Sequence, residues 1–271
     1  MGNKIIVAVR LVTRRFPFLY GILGKFHHAI QYQIDHFLLR KMYPDVKHIK
    51  INESEISNNH KDGFQSQYGQ EKFLLNSGYI PSEGGRFIDI GCNHPVECSN
   101  TYALEKMFGY TGLAIDPLTS FIEFWGAERP NSLFVNKFLS SRKKKIEFVE
   151  VSGREGWEHM LSGANSSVRT EGKDVEREVR NIETLPLQDV LDESGYESDV
   201  DVMFVDVEGH EAEVIDGVDW SRTAPRVIVI ENFGKFNDCN VLRSKLINLG
   251  YKFIARIGIS DDIFLHENSI K

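Results

Sequence analysis

A run of ionisable side chains dense for a strand end, Asp206-Val207-Glu208-Gly209-His210-Glu211, directly follows the apolar stretch 200–205. An apolar run ending in an acid reads as a buried strand that delivers Asp206 to a sheet edge, with Glu208, Gly209 and His210 in the following turn. A second apolar run, 226–230, ends in Glu231-Asn232. Asp206, Glu231 and Asn232 at neighbouring strand ends would offer oxygen ligands suited to Mg²⁺ or another hard divalent ion, which lowers the pKa of a bound acceptor oxygen. A carboxylate or His210 could equally act as general base without a metal. The residues alone leave both readings open. Asp206 is the first choice for either role, with Glu208, His210 and Glu231 as the other catalytic candidates.

Two other strand ends suggest a cofactor. Phe87-Ile88-Asp89-Ile90-Gly91 is an apolar strand closing on an acid and a turn glycine, and ligands of open α/β sheets bind at such carboxyl ends. Gly112-Leu113-Ala114-Ile115-Asp116-Pro117 repeats the pattern, with Asp116 placed 25 positions after Gly91, where an acid can take both hydroxyls of a ribose. The helix expected from Ser99 turns unpaired N–H groups toward an anion. Asn93-His94-Pro95 stand where a dinucleotide fingerprint would need more glycines. An adenosine-containing cofactor without a pyrophosphate follows, so S-adenosylmethionine is favoured over NAD. An NAD-dependent oxidoreductase and a non-catalytic scaffold with the same fold are the competing readings.

The elements that must position these residues alternate. Strands are predicted at 86–90, 112–115, 133–136, 200–205, 226–230, 252–257 and 263–266, and helices at 99–108, 118–127, 187–194, 211–218 and 241–249. That alternation indicates a doubly wound α/β fold around a mainly parallel sheet. Residues 145–151 read as an extra strand, and the polar stretch 152–182 as a mobile loop over the site. Residues 1–50 read as a helical appendage and 51–63 as a linker, leaving 64–271 as the catalytic domain.

Composition narrows the class. Of the 271 residues, 41% are hydrophobic and 26% charged, which is ordinary for a globular protein. No apolar window approaches the ~18 residues of a membrane span. The three cysteines, Cys92, Cys98 and Cys239, have neither disulfide nor zinc spacing and read as reduced thiols of a cytoplasmic protein. The triplets Asn52-Glu53-Ser54 and Asn165-Ser166-Ser167 carry no weight as glycosylation sites there. Residues 1–50 hold nine Lys or Arg against two Asp, a net of +7, whereas the whole chain is −7. An acidic body argues against nucleic acid. The basic front end could touch an anionic membrane or a phosphorylated substrate. Homo-oligomerisation is left open.

In order along the chain, the segments resemble the FkbM-type methyltransferases. Ser66-Gln67-Tyr68-Gly69-Gln70-Glu71 is similar to the family's Ser-Gln-x-Gly-Gln-Asp element, with Glu71 for Asp. Asp89-Ile90-Gly91 resembles its cofactor loop, Ser99-Asn100-Thr101 its helix start, and Ile115-Asp116-Pro117 its ribose element, with Asp for Glu. Thr184-Leu185 with Leu187 to Leu191, then Asp206 to Glu211, Glu231, and Leu249-Gly250-Tyr251 complete the series. The resemblance covers Phe64 to the C-terminus. It implies a seven-stranded sheet with an antiparallel final hairpin, S-adenosylmethionine as donor, and O-methylation of a glycan, glycolipid or secondary metabolite. On that basis Asp89, Gly91, Asn93, Asp116 and Pro117 hold the cofactor, Asn100 and Thr101 lie near its amino-acid end, and Gln67 and Gln70 close over it. Asp206, Glu208, His210, Glu231 and Asn232 face the acceptor. Asn93-His94-Pro95 departs from the family's Asn-x-Gly turn, and residues 1–63 fall outside the match.

Overall fold

The computed structural model describes residues 36–154, 156–164, 168, 170, 174–196, 199–233 and 239–269. Two compact units divide at residue 46. In the first, residues 36–42 are helical and close on the Tyr43 N–H to Leu39 carbonyl bond (2.8 Å). The expected helix and basic surface of residues 1–35 lie outside the described residues.

The second unit is built on one large, mostly parallel sheet. Its strands are β1 (Lys47–Ile49), β2 (Arg86–Ile90), β3 (Thr111–Ile115), β4 (Ser132–Val135), β9 (Val202–Val205), β10 (Val227–Glu231), β11 (Tyr251–Ile257) and β12 (Asp261–His266), in the order β1-β11-β12-β10-β9-β2-β3-β4. β12 is antiparallel to both β10 and β11, as expected for the closing hairpin. The seven expected strands are present. The eighth, β1, comes from the stretch read as helical and adds to the edge of β11. Phe87, Ile88, Ile90, Val202, Met203 and Phe204 are at most 1% exposed. Both faces of the central strands are therefore covered, which is why they read as continuous apolar runs rather than alternating ones. Each large side chain buried in this way contributes about 1.5–3 kcal/mol.

The helices follow their strands: α1 (Glu53–Lys61), α2 (Gln70–Asn76), α3 (Tyr102–Phe108), α4 (Ile122–Glu128), α5 (Leu187–Ser194), α6 (Glu211–Asp216) and α7 (Cys239–Asn248). α1 corrects the linker reading of 51–63. Its cause is a capping box: Asn52 accepts from the Glu55 N–H (3.0 Å), and the Glu55 carboxylate accepts from the Asn52 N–H (2.9 Å).

A second, smaller sheet interrupts the alternation. It joins β5 (Phe138–Leu139), β6 (Lys144–Gly153), β7 (Gly163–Ala164) and β8 (Val175–Leu185). β6 and β8 pair antiparallel from Lys144↔Thr184 to Gly153↔Val175. Much of the stretch expected as a loop is therefore a strand.

Candidate active site

The carboxyl ends of β2, β3 and β9 open onto one cleft of about 890 Å³, open solvent at its mouth included. One side carries Asp89, Gly91, Asn93, Asn100, Asp116 and Pro117, and another Asp206, Val207 and Glu208. Phe138 and Phe148 of the small sheet form a wall.

On the first side each acid is tied by its own loops. Asp116 accepts from the Asn93 N–H (3.0 Å) and the Leu118 N–H (2.8 Å). Each of its oxygens keeps a lone pair for a ligand hydroxyl. Asp89 accepts from the Thr101 hydroxyl (2.6 Å). Burial pushes both carboxyls up to about 6. The loop from Pro95 to Thr101 is held from behind by Arg129, which pairs with Glu105 (2.7 Å) and donates to the Pro95 and Thr101 carbonyls. Removing either member of such a buried pair costs about 3–5 kcal/mol. Thr101 is fully buried, with its hydroxyl between Asp89 and Arg129, so it supports the cofactor loop from beneath rather than lining the cleft.

Gly91 has φ +78°, and a Cβ there would lie 1.7 Å from the Asp206 carbonyl oxygen. The glycine is thus required by the neighbouring strand end, where the sequence suggested approach to a ligand. His94 accepts from the Val96 (3.2 Å) and Glu97 (2.9 Å) N–H groups through Nδ1, a loop-stabilising role.

On the second side the acids crowd one another. Asp206 is open to the cleft, but dense protein surrounds its base. Desolvation there, then the charges of Glu231, Asp261, Glu208 and Glu211, push its carboxyl well above the usual range. Desolvation and the Glu208, Glu211 and Asp261 charges raise Glu231 to about 9, against a lowering by Arg256. One Glu231 oxygen is buried without a hydrogen-bond partner.

Glu211 closes the turn, accepting from the Val207 (3.2 Å) and Gly209 (2.9 Å) N–H groups. His210 lies 3.1 Å through Nε2 from the buried Ser140 hydroxyl, and desolvation lowers its pKa.

Three expectations are corrected. Asn232 is fully buried and donates to Asp262 (2.7 Å) and the Cys239 carbonyl (3.0 Å), within a network that also holds Arg243 and Arg256. Successive residues at a strand end point to opposite faces, so Glu231 and Asn232 cannot both face the acceptor. Among the described residues no three His, Cys, Asp or Glu side chains are grouped to hold a metal. Gln70 donates to Asp261 and accepts from the Tyr68 N–H (2.9 Å), while Gln67 is exposed, and neither lines the cleft. The Ser66–Glu71 element instead folds on itself: Glu71 accepts from the Gln65 and Ser66 N–H groups and the Ser66 hydroxyl.

The cleft also gathers residues not singled out from sequence, chiefly Lys137 just after β4 and His159 and Ser162 in the segment between β6 and β7. Lys137 could have been found from the rule that ligands sit beyond strand carboxyl ends.

Asn93 and Asn100 both line the cleft, and each has a buried side-chain oxygen without a hydrogen-bond partner. Such acceptors fit an ammonium, Asp116 fits a ribose, and Ile115, Leu118 and Phe138 fit apolar ring faces. This donor set suits S-adenosylmethionine. The family model of the methyltransferase FkbM domain matches residues 89–253. The chain belongs to the FkbM methyltransferase family. This FkbM protein is therefore an S-adenosylmethionine-dependent methyltransferase. Among solved structures it is similar to a TehB-like SAM-dependent methyltransferase from Corynebacterium glutamicum, at 13% identity and TM-score 0.39, covering 78% of this chain and 93% of that one. No curated protein matches the chain. Among the described residues no helix is long and apolar enough to cross a membrane.

Proposed function

We propose that the chain methylates a hydroxyl oxygen of a sugar, glycolipid or secondary-metabolite acceptor. The observation that carries this reading is the Asp206–Glu231 pair at adjacent strand ends, with both carboxyls raised by burial and neighbouring like charges. A hydroxyl must give up its proton as the new bond forms, and a base is most effective when its pKa lies near the working pH.

When bound, S-adenosylmethionine supplies a methyl carbon on a sulfonium. Asp116 would hold its ribose hydroxyls, and Asn93 and Asn100 its ammonium. Glu231 keeps its proton near neutral pH, and Asp206, which lines the cleft, is the group that in its ionised form takes the hydroxyl proton. Holding acceptor oxygen and methyl in line supplies the rest of the rate. The metal alternative loses Asn232, so the base reading is preferred.

The test is incubation with methyl-¹³C donor and a panel of glycosides, glycolipids and phenolic metabolites, with the product linkage read by NMR. An O-methyl product is expected. Exclusively N- or C-methyl products would refute the reading.

A further inference from the structure

A second cavity lies beside the donor cleft, between the small sheet and the start of α6. Phe138, Val207 and Glu208 line both, so the two are immediate neighbours with Glu208 on their shared border. β6 carries the wall across: strand alternation turns Lys144, Ile146 and Phe148 to one face, with Phe148 on the cleft and the other two on the groove. The backbone marks the same junction. Four non-glycine residues among those described have positive φ, and three of them, Asn93, Cys98 and Glu208, line the cleft. Backbone strain of this kind persists where the surrounding structure enforces it, often at ligand sites.

The groove has an apolar floor of Phe138, Ile146 and Val207 and a polar rim. On the rim, His210 is fixed edge-on against Phe138 (centroids 5.2 Å apart) and by Ser140, with its Nδ1 3.7 Å from the Glu213 carboxylate. Among the described residues that line the groove, Glu208 and Glu213 supply two carboxylates against the ammonium of Lys144, while alternation turns Glu147 to the opposite face of β6.

We propose that this groove seats the acceptor, and that the acceptor is a polyhydroxylated molecule with no negative charge where it enters. This rests on the hydroxyl-methylation reading above. Carboxylates accept hydrogen bonds from hydroxyls, two per vicinal pair, and an apolar floor takes the C–H face of a sugar ring. A phosphate or uronate in the same place would face two carboxylates with one cation to answer them.

The test uses the full chain with S-adenosylhomocysteine bound, its binding first measured by calorimetry. Saturation-transfer NMR then compares methyl β-glucoside with glucose 6-phosphate and methyl glucuronide. The neutral glycoside is expected to bind at least about tenfold more tightly than either anion (about 1.4 kcal/mol). Ile146→Trp, which fills the groove, is expected to remove that binding. Glu213→Lys is expected to narrow the preference while leaving the fold intact. Anions binding as tightly as the glycoside, glycoside binding unchanged in both variants, or no glycoside binding at all would each overturn the proposal. Absence of S-adenosylhomocysteine binding would overturn it together with the donor-site assignment. Failure of the hydroxyl reading alone is seen separately, as an N- or C-methyl product.

Discussion

At the ends of β2 and β3, Asp89 and Asp116 are held by hydrogen bonds from their own loops, whereas at the ends of β9 and β10, Asp206 and Glu231 face each other's charge. The first pair is arranged to bind: both Asp116 oxygens are held by backbone N–H groups, and one Asp89 oxygen by the Thr101 hydroxyl. The second is arranged to titrate, with burial and like charge raising both carboxyls. On the proposed reading, one sheet edge separates a donor site from an acceptor site, using the same residue type in two environments.

The strongest way to break the comparison is at the point where the two halves touch. Gly91→Ala would drive a Cβ into the Asp206 carbonyl and is expected to cost about 4 kcal/mol or more, read as a fallen thermal midpoint with loss of donor binding. An unchanged midpoint would mean that the two strand ends are not packed as described. Next, Asp116→Ala should weaken S-adenosylmethionine binding about tenfold, or about 1.4 kcal/mol, with the rate at saturating donor largely kept. Calorimetry decides; an unchanged affinity would show that the ribose contact lies elsewhere.

Glu231→Gln sharpens the other half through pH. The folded state keeps the Glu231 proton up to about 9, whereas the unfolded chain releases it near 4.5. Unfolding across that window therefore releases a proton, and wild-type stability falls as pH rises through it. The variant should lose less stability between pH 5 and pH 9, by a few degrees of thermal midpoint, roughly 2–4 °C per kcal/mol. Parallel curves would show that Glu231 ionises normally. The smallest effect is expected at Gln70, whose amide supports Asp261 outside the cleft. Gln70→Ala should leave donor affinity within about twofold while lowering stability by about 1 kcal/mol. A larger loss of affinity would return Gln70 to the cofactor.

The central elements were legible because their residues are buried on both faces. Arg86–Ile90 and Leu187–Ser194 stand where they were expected, and Asp89, Asp116 and Asp206 end their strands as read. The small sheet was not legible. Val175–Leu185 is polar and largely exposed along most of its length, and it becomes a strand only by pairing with β6 from about thirty residues away. Asn232 was misread because it and Glu231, successive residues at one strand end, were taken to share a face, which alternation forbids. Asn52 shows a signal that was present but unused: Asn-x-x-Glu is a capping box, and it builds α1 where polar composition suggested a linker.

The most direct test of the central claim is the single-turnover rate of labelled methyl transfer by Asp206→Asn, with donor affinity measured on the same sample. A fall of about 10²–10⁴-fold in rate, with the donor dissociation constant within about threefold of wild type, is the expected result and would mark Asp206 as the group that takes the hydroxyl proton. A rate near that of wild type, or a loss accounted for by weakened donor binding, would contradict the division of the sheet edge into a binding half and a reactive half.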